Sequence, residues 1–302
     1  MSNSNKINTK ILEKAVALLR NGDVVAVPTE TVYGLAANIH HIKGIEKIFS
    51  LKQRPQDHPL IVHCCDLEMA KRYALFSDLA LQLAEAFWPG PLTLILPKTP
   101  QTPTKITGGR KSVGIRIPQN MLTIQIIQQL GCPIVAPSAN LFGKVSPTKA
   151  QHVLDDFNNE VFVVDGGDCS IGLESTILDL FKGPAILRPG KISAEEILTY
   201  TKKLTHSDTV ASGTLASHYQ PNTPVIISDT PDIVVKELEN KGYRVVILPQ
   251  ISPTQDAKKL YATLRQLDKG DFDYIIAKLS TINGIGIAIN DRLQKAAHKI
   301  KD

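Results

Sequence analysis

A chain of 302 residues exceeds the size at which one core usually stops growing, so two domains are expected. Hydrophobic content of 43% beside 21% charged residues is that of a soluble globular protein and leaves disorder only at the ends. The formal charge of +5 suits phosphate-bearing or other anionic ligands but falls short of the dense basic stripe of a dedicated nucleic-acid binder.

The polar opening MSNSNKINTK has no apolar stretch of signal-peptide length, and no run approaches the roughly 18 apolar residues that span a bilayer. A cytoplasmic location without membrane contact is therefore expected. Cys64, Cys65, Cys132 and Cys169 form no C-x-x-C pair and read as reduced thiols, with no metal site among them.

Thr9 is positioned to cap a first helix carrying Ile11, Leu12, Ala15, Val16, Leu18 and Leu19, stopped by Asn21-Gly22. Residues 24–28 read as a buried strand, followed by 59–63, 92–96, 113–117, 134–136, 161–164, 175–180 and 185–188. Helical patterns over 78–87, 122–130 and 148–157 lie between them. Helices interleaved with many short strands predict one α/β domain, 1–205, on a large mixed twisted sheet. Residues 206–223 are small, polar and broken by Gly and Pro, which makes them an interdomain linker. Strands at 225–227, 245–248 and 274–276, helices at 232–239 and 256–267 and a last helix near 290–300 predict a small Rossmann-like α/β domain, 224–302. It has no G-x-G-x-x-G or P-loop after its first strand, so nothing in it argues for a dinucleotide.

Three stretches place polar and cationic groups where a strand hands over to a turn: Pro28 to Leu35, Lys52-Gln53-Arg54-Pro55, and Pro137-Ser138-Ala139-Asn140. Pro55 biases Arg54 toward extended backbone, in which Lys52 and Arg54 project from the same side onto one polyanion. Arg116, between Ile115 and Ile117, is expected to emerge opposite the buried isoleucines, with Gly114 leaving room for a ligand. Arg188 ends its strand in the same way. Each cation alone is more often an ordinary surface or ion-pairing residue; several at strand ends point to an anion site. Thr29, Thr31, Ser138, Asn140, Ser146, Ser175 and Thr176 offer hydroxyl and amide groups, although any one of them serves a cap or turn as readily. His58 and His63 flank an apolar strand, and Glu30, Asp165 and Glu174 are carboxylates at the cleft edge.

The ordered series TETVYGLAAN, LKQRP, HPLIVHC, WPGPLTLIL, VGIRIP, PSANLFGKVSPT, GLESTILDL and ILRPG resembles the YrdC-like family of threonylcarbamoyl-adenylate synthases over roughly residues 10 to 200. The linker ending His218-Tyr219-Gln220-Pro221, followed by a small α/β module, resembles the family's longer two-domain form. The resemblance implies a nucleotidyltransferase that condenses L-threonine, bicarbonate and ATP into L-threonylcarbamoyl-AMP and pyrophosphate, with magnesium on the ATP phosphates. A threonylcarbamoyl transferase complex would then pass the group to tRNA. By the same resemblance Thr31, His63, Arg116 and Ser175 would hold threonine. Arg54, His58, Ser138, Asn140, Ser146 and Arg188 would hold ATP or the adenylate, with Lys52 and Arg54 at the reacting phosphates and Tyr219 folding over as a lid. No protein ligand for a metal is implied. The rival expectation is a module that binds double-stranded RNA or tRNA without catalysis; weak RNA contact is compatible with either reading.

Overall fold

The computed structural model describes residues 3–213 and 218–297. Among these, nine strands form one sheet: β1 (Val25–Val27), β2 (Gly34–Asn38), β3 (Ile61–His63), β4 (Leu92–Pro97), β5 (Ser112–Arg116), β6 (Ile134–Val135), β7 (Phe162–Val163), β8 (Thr176–Asp179) and β9 (Ala185–Arg188). Their order is β7-β1-β2-β6-β3-β5-β4-β8-β9. The pairing is mixed: β3 and β5 run parallel, as do β4 and β8, whereas β4 and β5 run antiparallel. Such short strands hold because their side chains are buried and mostly apolar, as in Val25-Ala26-Val27 and in Leu92 to Leu96, where Thr93 is the one polar residue and is buried too.

Helices α1 (Asn3–Arg20), α2 (Ile42–Lys52), α3 (Leu67–Tyr73), α4 (Asp78–Phe87), α5 (Met121–Leu130), α6 (Ala150–Asp156) and α7 (Ala194–Leu198) flank this sheet. Caps fix several starts: Asp66 accepts from Met69 N, Ser77 from Ala80 N, and Asn120 from Leu122 N and Thr123 N. Five expectations change. The first helix begins at Asn3, so Thr9 lies inside it; nothing in the polar opening breaks a helix. Strand β2 and helices α2, α3 and α7 were not foreseen. Residues 34–38 read as the tail of a polar turn, yet pairing with β1 and β6 on either side makes them a buried strand.

The second sheet, β10-β12-β11, is built from β10 (Val225–Ile227), β11 (Val245–Ile247) and β12 (Tyr274–Ala277), all parallel. Its helices are α8 (Pro231–Glu239), α9 (Pro253–Asp268) and α10 (Ile285–Ala296). The last helix starts five residues before the expected 290, because buried Ala288, Ile289, Leu293 and Ala296 align on one face; the expected turn beyond 297 lies outside the described residues.

Helices α9 and α10 bring the small sheet onto the large one. Arg265 of α9 donates to both oxygens of Asp156, at 2.9 and 2.6 Å, and to Val145 O. Asn222 and Thr223 N donate to Asp268. Gly172, at φ +81, lets α9 approach so closely that a Cβ there would fall 2.4 Å from Lys258 O. Truncating Arg265 to Ala leaves Asp156 and the carbonyls of Val145 and Ser146 without this donor. We expect it to cost roughly 2–3 kcal/mol of docking and to raise hydrogen exchange in α9 and α10 while the nine-stranded sheet keeps its protection. A uniform change across both sheets would contradict this clamp.

Candidate active site

The first wall of the site is the loop 28–33, between β1 and β2. Thr29 Oγ1 accepts from Thr31 N and Val32 N and donates to Val32 O at 2.6 Å, so a hydroxyl organises the turn that buries Thr31. The second wall is the end of α2. Arg54 N donates to Phe49 O and Gln53 N to Ser50 O, a Schellman turn with Gln53 in the left-handed region at φ 51. Lys52 and Arg54 therefore converge through a helix cap, not through the extended backbone expected. The third wall is 137–140, where Leu35 N donates to Pro137 O and Ala139 N to Tyr33 O.

These walls, with the ends of β3, β5 and β9, line a partly open recess whose empty space, open solvent at its mouth included, is about 580 Å³. Lys52, Arg54, Arg116 and Arg188 all line it, each no more than 6% exposed. Lys52 donates to Ser138 O at 2.6 Å and to Asn140 O. Arg54 reaches Pro59 O at 3.0 Å and lies 5.4 Å from the Phe142 ring centroid. Arg188 donates to Ser175 O, Ser175 Oγ and Ser212 O. Burial pulls Lys52 well below the usual lysine range, aided by the neighbouring charge of Arg54; burial and then Arg188 bring Arg54 down to about 10. Like charges are thus crowded in a dry place, with main-chain oxygens as most of their partners.

Arg116 is different. It donates to Glu30 Oε1 at 2.6 Å and to Thr31 Oγ1 at 3.2 Å, while its Nε has no protein partner. The room expected beside Gly114 is filled by protein: a Cβ there would meet Ile95 Cδ1 at 3.1 Å. His63 and Ser175 complete this end of the recess, Ser175 Oγ lying 2.8 Å from Thr93 Oγ1. Burial, with Arg116 beside it, lowers His63 to about 3, so its ring is neutral near pH 7.

Chain segments beyond β9 cover the recess. Ser207 and Thr209 hydroxyls donate to Asp179 Oδ2, and Ser212, Gly213, His218 and Tyr219 line the cavity. Tyr219 is buried at φ 63, stacked 5.7 Å from Tyr261, with its hydroxyl unpartnered. Burial first, assisted by the charges of Lys52, Arg54 and Arg188, keeps the adjacent His218 near 3 despite the opposing pull of Glu174.

Of the sequence-expected site residues, Thr31, Lys52, Arg54, His63, Arg116, Ser138, Asn140, Ser175, Arg188 and Tyr219 share this recess. His58 and Ser146 do not line it. The ring of His58 meets the outer edge of Phe142, and Ser146 is fully buried behind Glu174, to which it donates. Thr176 and Asp165 also face elsewhere, toward Ile192 O and Tyr33. Phe142, Ser212 and Gly213 were missed, for they are ordinary loop residues until the fold closes. Arg292 was missed too, although a cation on the apolar stripe of Ile289, Leu293 and Ala296 was a readable signal. Among the described residues no cluster of three His, Cys, Asp or Glu side chains forms a metal site, and no helix is long and apolar enough to cross a membrane.

Residues 17–190 match the Sua5/YciO/YrdC family model, described as telomere recombination, and residues 192–298 match one described as the C-terminal domain of threonylcarbamoyl-AMP synthase. The threonylcarbamoyl-AMP synthase of Bacillus subtilis is 38% identical, the match covering 96% of this chain and 94% of that protein. The enzyme of the same name from Pyrococcus abyssi is 36% identical over 94% of this chain and 93% of its own. The crystal structure of P. abyssi Sua5 complexed with L-threonine superposes with a TM-score of 0.90 at 35% identity, covering 96% of this chain and 94% of that one.

Two outcomes follow from this geometry. Gln53→Gly removes the left-handed strain and is expected to be neutral or to stabilise by up to about 1 kcal/mol, whereas Gln53→Val should destabilise by roughly 1–2 kcal/mol in denaturant titrations. Equal effects would remove the helix-cap account of Lys52 and Arg54. Glu174 meets opposing pulls: burial raises its pKa, and Arg292, Arg188 and Ser146 overcome that, holding it near 2 against the 4.5 of an ordinary glutamate. Its ionised form therefore stabilises the fold above pH 4.5, and that contribution is lost as pH falls toward 2. The stability difference between the parent and Glu174→Gln should shrink across that window; a constant difference contradicts it.

Proposed function

The chain belongs to the Sua5/YrdC family of threonylcarbamoyl-AMP synthases, and from that premise we propose how its recess condenses L-threonine, bicarbonate and ATP into L-threonylcarbamoyl-AMP and pyrophosphate. The observation that carries the reading is the convergence of Lys52, Arg54 and Arg188, buried and held by neutral oxygens, on one recess. The domain division proposed is a catalytic unit over 1–205, a covering linker over 206–223 and a small α/β unit over 224–302.

Threonine occupies the Arg116 end: its carboxylate takes the unpartnered Nε–H of Arg116, with Thr31, His63 and Ser175 around its amine and hydroxyl. ATP occupies the Lys52–Arg54–Arg188 end, with Ser138, Asn140 and Tyr219 beside it; the buried Asn140 Oδ1 and Tyr219 hydroxyl have no protein partner. His58 and Ser146 support the walls through Phe142 and Glu174. The threonine amine attacks bicarbonate, water leaves, and a carbamate oxygen then attacks the α-phosphorus as pyrophosphate departs. In class this is nucleotidyl transfer. It asks the protein for alignment and for positive charge where phosphate oxygens gain negative charge, and no covalent nucleophile is needed. A closed cover formed by His218 and Tyr219 keeps water from the mixed anhydride.

Magnesium enters with the nucleotide. Among the described residues the single carboxylate lining the recess, Glu174, is already engaged by Arg292, Tyr261 and Ser146, so the donor set does not fit a protein-held ion and no step is routed through one. A threonylcarbamoyl transferase complex consumes the product in the cytosol. RNA binding as the main role gains nothing from the geometry, because the four cations face inward.

Incubation with ATP, bicarbonate and isotopically labelled threonine is expected to give, by mass spectrometry, labelled threonine joined through carbamate to AMP. Lys52→Ala or Arg54→Ala should reduce that product by roughly 100-fold or more with the fold intact. Normal turnover in both soluble variants, or pyrophosphate release independent of threonine, would reject the reading.

A further inference from the structure

Glu174 is the one carboxylate among the residues lining the recess. Left alone, it would repel every phosphate brought between Arg54 and Arg188, or capture Arg188 for itself. Its partner comes from the other sheet's helices. Arg292 of α10, 1% exposed, donates from Nε to Glu174 Oε2 at 2.9 Å, and Tyr261 of α9 donates to the same oxygen at 2.8 Å. Arg292 also pairs with Asp291 and lies 5.1 Å from the centroid of the Tyr219 ring. The nucleotide pocket is thus electrically completed by a residue more than a hundred positions further along the chain, on a separate sheet.

We propose that Arg292 is a positioning residue for the nucleotide: by pairing Glu174 it leaves Arg188 free for phosphate, so that ATP affinity depends on the docked small domain. This rests on ATP occupying the recess as read above. The small domain then contributes to the reaction without touching a substrate, through the charge of one buried carboxylate. Threonine, at the Arg116 end with its own partner Glu30, is largely indifferent to it.

The test compares dissociation constants by calorimetry for an ATP analogue with a non-hydrolysable α–β linkage and for L-threonine. Arg292→Met is expected to weaken the analogue by about tenfold or more and threonine by less than about threefold; adding Glu174→Gln in that background should restore the analogue to within about threefold of the parent. Equal weakening of both ligands, or no recovery in the double variant, would overturn the assignment and leave Arg292 as a support for Tyr219 and the domain contact. Should Arg292→Met fail to fold, Glu174→Gln/Arg292→Met, which buries no unpaired carboxylate, carries the test: near-parental binding supports the proposal and a tenfold loss overturns it. A parent protein that binds no analogue would instead reject the nucleotide reading itself.

Discussion

Four cations buried side by side repel one another and lose their hydration, a cost that a fold can carry only by arranging oxygens around each of them. Among the described residues, Arg116 alone of the four has a carboxylate within ion-pair distance. Lys52, Arg54 and Arg188 are held by the carbonyls of Ser138, Asn140, Pro59, Ser175 and Ser212, which satisfy hydrogen bonds without cancelling charge. The hollow therefore keeps a positive field in low dielectric, and a polyphosphate is what that field is complementary to.

The architecture serves this constraint. The carbonyls come from strand ends and turns, where backbone leaves the ladder and its oxygens become available. Arg116 and Arg188 end β5 and β9, Lys52 ends α2, and each is anchored by apolar neighbours such as Ile115, Ile48 and Phe49. The small unit adds the last correction, because the remaining carboxylate of the hollow is neutralised from α10. Catalysis of the kind this family performs needs such prearranged charge more than it needs a reactive side chain, which accounts for a site with no triad and no metal cluster among its described residues.

Much of this was legible in the residue order. Short apolar strands such as 92–96 and 113–117, interleaved with helical patterns, announced the mixed sheet, and cations at strand ends announced the anion site. The helix cap at Gln53 was not legible, because Pro55 argued for extended backbone and the left-handed turn depends on α2 being a helix at all. Glu174 read as a carboxylate at the cleft edge and Arg292 was not singled out; their pairing spans two sheets and becomes visible only once α10 is docked. His58 and Ser146 failed as lining residues for the opposite reason. The ring of His58 packs on Phe142 and the hydroxyl of Ser146 donates to Glu174, and it is Phe142 and Glu174 that line the recess.

The central claim is that the convergent buried cations receive the triphosphate. A crystal structure with a non-hydrolysable ATP analogue and L-threonine tests it most directly. The account places phosphate oxygens within hydrogen-bond distance of Lys52, Arg54 and Arg188, with the threonine carboxylate at Arg116. Phosphates bound outside this recess, or in it but facing none of those side chains, would contradict it.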